Sequence, residues 1–370
     1  MSESTDSKRG SKSRSRQLTR RDFLLMGAGT LGGIVLAGCS NTTSSTPAPT
    51  SAPVSGGGAA APTAAGSAAS SVAGKTLGFS MSFSTTEWVV QQRQGVEEMA
   101  AKYGLKTIVY DAGDNPAKEV TNLEDLVTKK VDVIVISTYY SEAITPAIKT
   151  INNAKIPIVV LSSALATGAD FTSHLSVDTL ATAREAGKLF VQKLGGKGKI
   201  VQIEGKPGSA VNQARGKGFR EVIDQEKGIE VVADVVANYE RAQALRAMED
   251  ILRAHPKIDA VYCHNNDMAL GAIKAAKEAG RDKEMWFVGY DGLTLEELQA
   301  INNGDLYGCY YYLPFGAEGV DVAVRILKGQ KVPKEIVFPS PFMSKNNVSD
   351  WYDSATNSRK PVIPRPIPEA

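Results

Sequence analysis

The chain is poor in the residues from which metal and catalytic sites are most often built. Its 370 residues include only three cysteines and three histidines, His174, His255 and His264. No His-x-x-x-His or Cys-x-x-Cys spacing occurs, so nothing predicts a zinc site. The Gly-x-Ser-x-Gly turn of hydrolases and the full Gly-x-x-x-x-Gly-Lys-Ser/Thr phosphate loop are also missing. We therefore predict no metal, no cofactor and no enzymatic activity.

The chain also carries little excess charge. It has 42 Lys and Arg against 40 Asp and Glu, a formal net charge of +2. Because nucleic-acid binding depends on concentrated positive charge, this composition does not indicate a nucleic-acid partner. Hydrophobic residues make up 42% and charged residues 22%, which is ordinary for a soluble globular protein. The length suits about two domains.

Residues 1–39 have the parts of an export signal in the right order. A basic segment ends in Arg20-Arg21 and is followed by an apolar run, 23–37, which is shorter than the roughly 20 residues of a membrane span. The paired arginines before Phe-Leu resemble a twin-arginine signal, with an ordinary Sec signal as the alternative route. The closing Leu-Ala-Gly-Cys resembles a bacterial lipobox, which implies that Cys39 is lipidated.

Residues 40–74 are nearly all Ser, Thr, Ala, Pro and Gly. They offer few side chains to bury, so we predict a disordered tether that holds a folded domain off the outer face of the cell membrane. Cys263 and Cys309 lie in the folded part. An exported protein can form disulfides, but both cysteines lie in apolar runs, where a buried free thiol is the more common outcome.

From Thr76 onward, short β-rich runs alternate with amphipathic helical patterns. This alternation is typical of α/β folds with parallel sheets and right-handed crossovers. The runs are too many for one small doubly wound domain, and they divide into two groups around 168–178, so we predict two similar lobes. The predicted strands are 76–81, 107–110, 133–137, 158–161, 199–204, 230–235, 260–263, 285–290 and 307–312.

Several stretches together carry a family resemblance, and Asn-Asn-Asp-Met-Ala-Leu-Gly-Ala at 265–272 is the most specific of them. From Lys75 to about Lys345 the chain resembles the ribose-type periplasmic binding proteins of ABC transporters. Repressors that share this fold carry an N-terminal helix-turn-helix, whereas here that place holds a signal and a tether. The other stretches are 114–119, 215–219, 254–256, 288–292 and 327–329.

The resemblance implies a monomer that binds a sugar or polyol between two lobes and delivers it to a membrane permease. Three chain crossings would form a hinge, near 176–178, 312–314 and 339–344. The implied boundaries are 75–176 with 313–341 for the N-terminal lobe, 177–312 with 342–355 for the C-terminal lobe, and 356–370 for a tail.

The family's ligand positions fall where parallel strands end, which is where such sheets bind ligands. Trp88 and Tyr239 match aromatic residues that stack on a sugar. Asn265 and Asp291 match residues that bond its hydroxyls. Gln213, three residues before Gly216, was matched to a position often held by Arg.

The departures from the family pattern concern specificity. Ser162 and Ser163 replace an Asp-Arg pair, and Tyr312 replaces a Gln. We therefore expect a ligand other than ribose, in a cleft that is roomier, less charged and more aromatic. Because side chains alternate along a strand, only one of Tyr311 and Tyr312 should face the cleft, and we choose Tyr312.

Three alternatives stay open from the sequence. The ligand is a nucleoside or a signalling molecule in the first, and the partner is a chemosensor in the second. In the third, Asp291 forms a carboxylate pair with Glu204 or Asp267 and hydrolyses glycosides. His264 adjoins Asn265 and is a further candidate for the cleft, whereas His174 is expected at the surface or the hinge.

Overall fold

The computed structural model describes residues 72–361 and 365–369. The predicted export signal, Cys39 and the tether up to residue 71 lie outside these residues. Val72 is buried and Gly74 N donates to Gly104 O over 2.9 Å, so the last predicted tether residues already pack on the folded body. No helix within the described ranges is long and apolar enough to cross a membrane.

The N-terminal lobe is built on a six-stranded sheet in the order β11-β5-β4-β3-β1-β2, with every pairing parallel. Helix α9 packs against α1 and against β3 and β4. The elements are β1 Thr76–Met81, α1 Glu87–Lys102, β2 Lys106–Asp111, α2 Pro116–Thr128, β3 Val133–Ser137, α3 Thr145–Asn153, β4 Ile158–Leu161, β5 Ser173–Val177, α9 Gly316–Leu327 and β11 Glu335–Phe338.

The C-terminal lobe repeats this plan in the order β12-β10-β9-β8-β6-β7, and only β12 runs antiparallel to its neighbour. The elements are α4 Thr179–Leu194, β6 Gly198–Glu204, α5 Ala210–Ile223, β7 Ile229–Val236, α6 Arg241–Ala254, β8 Ala260–Cys263, α7 Asn266–Glu278, β9 Trp286–Asp291, α8 Leu295–Asn303, β10 Gly308–Tyr311, β12 Phe342–Ser344, β13 Tyr352–Asp353 and β14 Ser358–Arg359.

The inner strands are apolar because helices cover both faces of each sheet. Every residue of β3 and of β8 is buried. Polar side chains start the helices that follow: Asn115 caps α2, Asp178 caps α4 and Ser209 caps α5. These caps place the helix starts at the carboxyl ends of the strands.

The predicted two-lobed α/β fold is confirmed. The chain passes between the lobes after β5, after β10 and after β11. Of the strands in the two six-stranded sheets, the sequence did not predict β5, β11 and β12. β5 reads Ser-His-Leu-Ser-Val, which is too polar for an inner-strand pattern, β11 is a half-exposed edge strand, and β12 has three residues.

The segment expected to be a tail is packed against the body. Asn357 accepts a hydrogen bond from Gln299 in the C-terminal lobe, and Arg359 donates to Gln91 in the N-terminal lobe. Arg325 of α9 donates to the carbonyls of Ile367 and Pro368. This segment therefore contacts both lobes.

Candidate functional site

A small cavity lies between the lobes at the carboxyl ends of the strands. Its volume of about 20 Å³ is room for about one water molecule. A larger cavity of about 600 Å³ lies between α1, the start of α9 and residues 359–361, away from the strand ends where parallel sheets bind ligands. The smaller one is lined by Thr86, Trp88, Tyr139, Ser162, Val211, Arg215, Tyr239, Asn265, Asp291 and Tyr312.

Side chains from the two lobes meet across this cleft. The rings of Tyr139 and Tyr239 have centroids 5.8 Å apart, and the Arg215 guanidinium lies 4.8 Å from the centre of the Tyr312 ring. At the cleft rim, Lys206 forms a 2.7 Å ion pair with Asp114. The expected roomy cleft is therefore filled by its own aromatic residues in this arrangement.

Six of the eight predicted ligand residues line this cavity, and Ser163 and Gln213 do not. Ser163 is buried next to the cavity-lining Ser162. Gln213 is exposed. The lining residues that the prediction did not include are Thr86, Tyr139, Val211 and Arg215.

Arg215, rather than Gln213, is the α5 residue at the site. Val211 and Arg215 are four residues apart and lie on one face of the helix, whereas Gln213 is two residues from each and faces away. Helical spacing from the apolar Val211 was therefore the signal that could have located Arg215. Arg215 and Asp291 are the charged residues of the cavity lining.

Buried contacts fix the Arg215 side chain. Nη1 donates to the carbonyl of His264, and the guanidinium stacks 4.0 Å from the centre of the Tyr290 ring. Nε has no hydrogen-bond partner. Asp291 lines the same cavity, and its burial raises the pKa of that carboxyl well above the ordinary value, an effect that the nearby Arg215 opposes.

His264 lies behind this wall and does not line the cavity. Its Nδ1 is 2.6 Å from Asn212 Oδ1, and Asn212 in turn donates to Glu204. Burial, assisted by the positive charge of Arg215, holds the pKa of His264 well below its usual range, so the ring is neutral. His264 therefore serves as a support for Arg215.

Asn265 has a structural role as well as a place in the cavity lining. Its Oδ1 accepts from Met268 N over 2.9 Å and caps α7, and its Nδ2 donates to the carbonyl of Tyr239 over 3.2 Å. Neither Asn266 nor Asp267 takes the cap. The same side chain therefore starts a helix, holds the Tyr239 turn and faces the cavity.

Trp88, Ser162 and Tyr312 form a group that we call the hinge corner. Trp88 Nε1 donates to the Tyr312 carbonyl over 3.1 Å, and Ser162 Oγ lies 3.0 Å from the Tyr312 hydroxyl. His174 is buried on β5, with Nε2 3.0 Å from the Ser162 carbonyl and Nδ1 2.8 Å from Glu335. Of the two places expected for His174, the surface and the hinge, the structure shows the hinge.

Three cavity residues have left-handed backbone conformations that side chains other than glycine seldom adopt. The φ angles are +68° at Ser162, +65° at Tyr239 and +109° at Asp291. Such conformations cost about 1–3 kcal/mol each and concentrate at functional sites. Gly205 leaves room for the Tyr239 side chain in its conformation, because a Cβ at residue 205 would lie 2.1 Å from the Tyr239 ring.

The carboxylate pairs considered for glycoside hydrolysis do not form at this cavity. Asp267 is paired with Arg241, and Glu204 bonds to Gln202 and Asn212. Asp291 is the single carboxylate among the ten lining residues. Among the described residues, no group of three or more His, Cys, Asp or Glu side chains is arranged to hold a metal ion.

Comparisons with known proteins agree with this geometry. Residues 77–331 match the family model described as periplasmic binding protein domain. The chain is 35% identical to the ribose import binding protein of Salmonella typhimurium over 245 residues, 66% of this chain and 81% of that protein. It is 29% identical to a xylitol-binding protein of Mycolicibacterium smegmatis, over 75% of this chain and 80% of that protein.

A solved structure shares the fold at similar identity. The fructose binding periplasmic domain of a hybrid two component system superposes with a TM-score of 0.71 at 29% identity, over 75% of this chain and 92% of that one. The chain therefore belongs to the periplasmic binding protein family, as one of its ribose-type sugar-binding members.

Proposed function

We propose that the protein is a lipid-anchored, extracytoplasmic solute-binding protein that captures a neutral sugar or polyol other than ribose for an ABC importer. The observation that carries this proposal is the cavity at the strand ends. There, the guanidinium of Arg215, the carboxyl of Asp291 and the amide of Asn265 converge with the rings of Trp88 and Tyr239.

These groups suit the chemistry of a sugar. Charged and amide groups form directed hydrogen bonds with hydroxyls, and aromatic rings cover the weakly apolar faces of the sugar ring. The related proteins described above carry ribose and xylitol in their names, which supports the same ligand class here.

Two of the replacements at the cavity argue against ribose. Ser162 and Tyr312 stand where the family has charged and amide groups, and their side chains bond to each other. A charge-assisted hydrogen bond contributes about 1.5–3 kcal/mol and a neutral one about 0.5–1.5 kcal/mol. The loss of one of each would weaken ribose binding by about thirtyfold or more.

The proposed membrane anchoring is based on the sequence of residues 1–71, and the proposed delivery to a permease is based on the hinge between the lobes. Residues 1–39 carry the twin-arginine and lipobox patterns, so Cys39 becomes the lipidated N-terminus and residues 40–71 the tether. Ligand contacts to both lobes stabilise the closed form, which a membrane permease then recognises. The closed protein acts as a monomer.

Calorimetry with a panel of monosaccharides, polyols and nucleosides tests this proposal. We expect a neutral sugar or polyol to bind most tightly, and Arg215→Ala to weaken that binding by about 10- to 100-fold through loss of hydrogen bonds to a charged donor.

Gln213→Ala is the matched control, because it lies on the opposite face of the same helix and should leave the affinity unchanged. Ribose as the tightest ligand, with sub-micromolar affinity, contradicts the proposed specificity. If a nucleoside binds most tightly, the ligand class is that of nucleosides and the proposed sugar or polyol is wrong.

A further inference from the structure

The two walls of the cleft differ in which polar atoms already have partners. In the hinge corner, the hydroxyls of Ser162 and Tyr312 bond to each other, and the indole N–H of Trp88 is used by the Tyr312 carbonyl. Because only one of the two hydroxyls donates in their bond, the pair keeps one free hydroxyl proton, and the rest of what the corner offers to a ligand is the faces and edges of two aromatic rings.

The wall from the C-terminal lobe has unused polar atoms. Arg215 Nε and the Tyr239 hydroxyl are buried without a hydrogen-bond partner. Ser209 Oγ, which lies near that hydroxyl, accepts from Asn212 N as the cap of α5. Asp291 adds a buried carboxyl group. Buried polar groups without partners are costly, so this wall gains most from the hydroxyls of a ligand.

Side-chain bonds attach the hinge corner to the N-terminal lobe, while Tyr312 N also donates to the carbonyl of Asp291 in the C-terminal lobe over 3.0 Å. Trp88 lies on α1, and Gln92 of the same helix donates to the carbonyl of Pro314 over 2.6 Å. These bonds attach the 312–314 crossing to α1, while His174 and Leu175 of β5 hold the backbone of Ser162. The Ser162–Tyr312 pair is therefore held from both sides at the crossing between the lobes.

We propose that the ligand presents an apolar edge, a methyl or deoxy carbon, to the hinge corner and its hydroxyls to Arg215, Tyr239 and Asp291. The ligand class is then a deoxy sugar or a methyl-bearing polyol. This inference rests on the proposed function. A ligand hydroxyl at the corner meets two hydroxyl groups that are already partly satisfied by each other, so it gains less there than at the opposite wall, whereas a methyl group packs on the two aromatic rings.

The test compares sugars that differ by one hydroxyl: fucose with galactose and rhamnose with mannose, each pair in both enantiomeric series. Calorimetry on the mature protein gives the affinity ratio within each pair. We expect the deoxy member to bind more tightly by about tenfold or more in the pairs that bind.

Tyr312→Phe is the diagnostic variant, because it removes one hydroxyl of the pair and leaves Ser162 Oγ free for a ligand. The preference for the deoxy member should fall by about tenfold. Gln213→Ala should keep the wild-type preference. A purely structural effect of Tyr312→Phe would lower both affinities equally and leave their ratio unchanged, and that result overturns the inference.

Other outcomes separate this inference from the proposed function. Equal or tighter binding of the hydroxylated members overturns the inference and leaves the proposed sugar-binding function standing. Binding of no sugar or polyol, in these pairs or in the wider panel, contradicts the proposed function, and the inference falls with it.

Discussion

Glu119 is a carboxyl group enclosed beneath the N-terminal wall of the cleft. Ser82 Oγ donates to its Oε2 over 2.7 Å, while Oε1 has no partner. The same Ser82 oxygen accepts from Tyr139 N over 2.8 Å, so the carboxyl supports the backbone of a cavity residue. Burial raises the pKa of Glu119 to about 7.

This pKa predicts a pH-dependent stability. An unfolded chain loses the Glu proton near pH 4.3, whereas the folded protein keeps it up to about pH 7. The folded state therefore binds more protons in that window, and the free energy of unfolding falls as pH rises through it, by up to about 3 kcal/mol. Glu119→Gln should remove this decline and be the more stable protein at pH 8.

Denaturant unfolding at pH 5 and pH 8 measures the effect. Glu124→Gln, on the exposed face of the same helix, is the control and should behave as the wild type. Other carboxyls with raised pKa values, such as Asp234 and Glu297, titrate in all three proteins, so only the difference between the proteins is informative. The same pH dependence in Glu119→Gln and wild type would refute the assignment.

Single residues were predictable where a strand end or an alternation rule located them. Asn265 and Asp291 follow apolar strands, and alternation selected Tyr312, which lines the cleft, over Tyr311, which lines the larger outer cavity. The match to the family motif points to Gln213, whereas helical spacing from Val211 points to Arg215. The Ser162–Tyr312 bond joins residues 150 positions apart, which no local pattern can reveal.

Among the elements, two loops form a latch across the mouth of the cleft. Lys206, after β6, pairs with Asp114, before α2, and its Nζ also lies 5.1 Å from the centre of the Phe83 ring. The Tyr140 hydroxyl donates to the same carboxylate. The Lys206 side chain is 13% exposed and that of Asp114 47%, so solvent partly screens the pair.

The latch should slow ligand release. Lys206→Gln removes the ion pair, which is present only when the lobes are closed, so the dissociation rate should rise about two- to fivefold, as expected for a partly exposed pair. Stopped-flow measurements at low and high salt give the dissociation rate. High salt screens the ion pair, so the dissociation rate of the wild type should then approach that of the variant.

Lys118→Gln is the control for this latch, because Lys118 is an exposed residue of α2 that forms no ion pair within the part of the chain that the structure describes. A dissociation rate that is the same in Lys206→Gln and in wild type, at both salt concentrations, would show that the pair does not restrain opening.

All nine strands predicted from the sequence occur, within a residue or two of their expected ends. Their continuous apolar runs reflect burial on both faces, which local sequence records directly. Apart from the two-residue strands β13 and β14, the strands that the sequence did not predict are β5, β11 and β12, and they flank the hinge. Their polar or short sequences form strands because neighbouring strands offer backbone partners, which is a tertiary cause.

At the scale of the molecule, both lobes present their strand ends to one cleft, and within the described residues three connections between the two main sheets cross the hinge. Lobe closure should therefore be governed by contacts across the cleft. In this structure the contacts are those of Tyr139 with Tyr239, Arg215 with Tyr312, and the Lys206–Asp114 latch.

Ligand should compact the protein in solution. Small-angle scattering of the mature protein should give a smaller radius of gyration with saturating ligand than without it, because ligand contacts to both lobes favour the closed form. Lys206→Gln without ligand should be at least as expanded as the wild type. A sugar that does not bind is the control, and an unchanged radius with the bound ligand would contradict lobe closure.

The number and grouping of strands indicate the two-lobed plan, but nothing in the sequence indicates the course of residues 356–361 and 365–369. Their contacts join Asn357 to one lobe and Arg359 and Ile367 to the other, through side chains far away in sequence. A stretch rich in proline and short of helical or strand patterns gives no local sign of such docking.

The two cysteines of the folded body have a practical consequence. Cys263 and Cys309 are free and buried, and burial raises the pKa of each thiol well above its ordinary value. Thiolates, not thiols, react with maleimides, so the native body is nearly inert to such dyes. In a protein that begins after Cys39, a single cysteine introduced at the cleft rim would be the one residue that reacts with the dye. The labelled protein would then report the binding of its ligand by fluorescence.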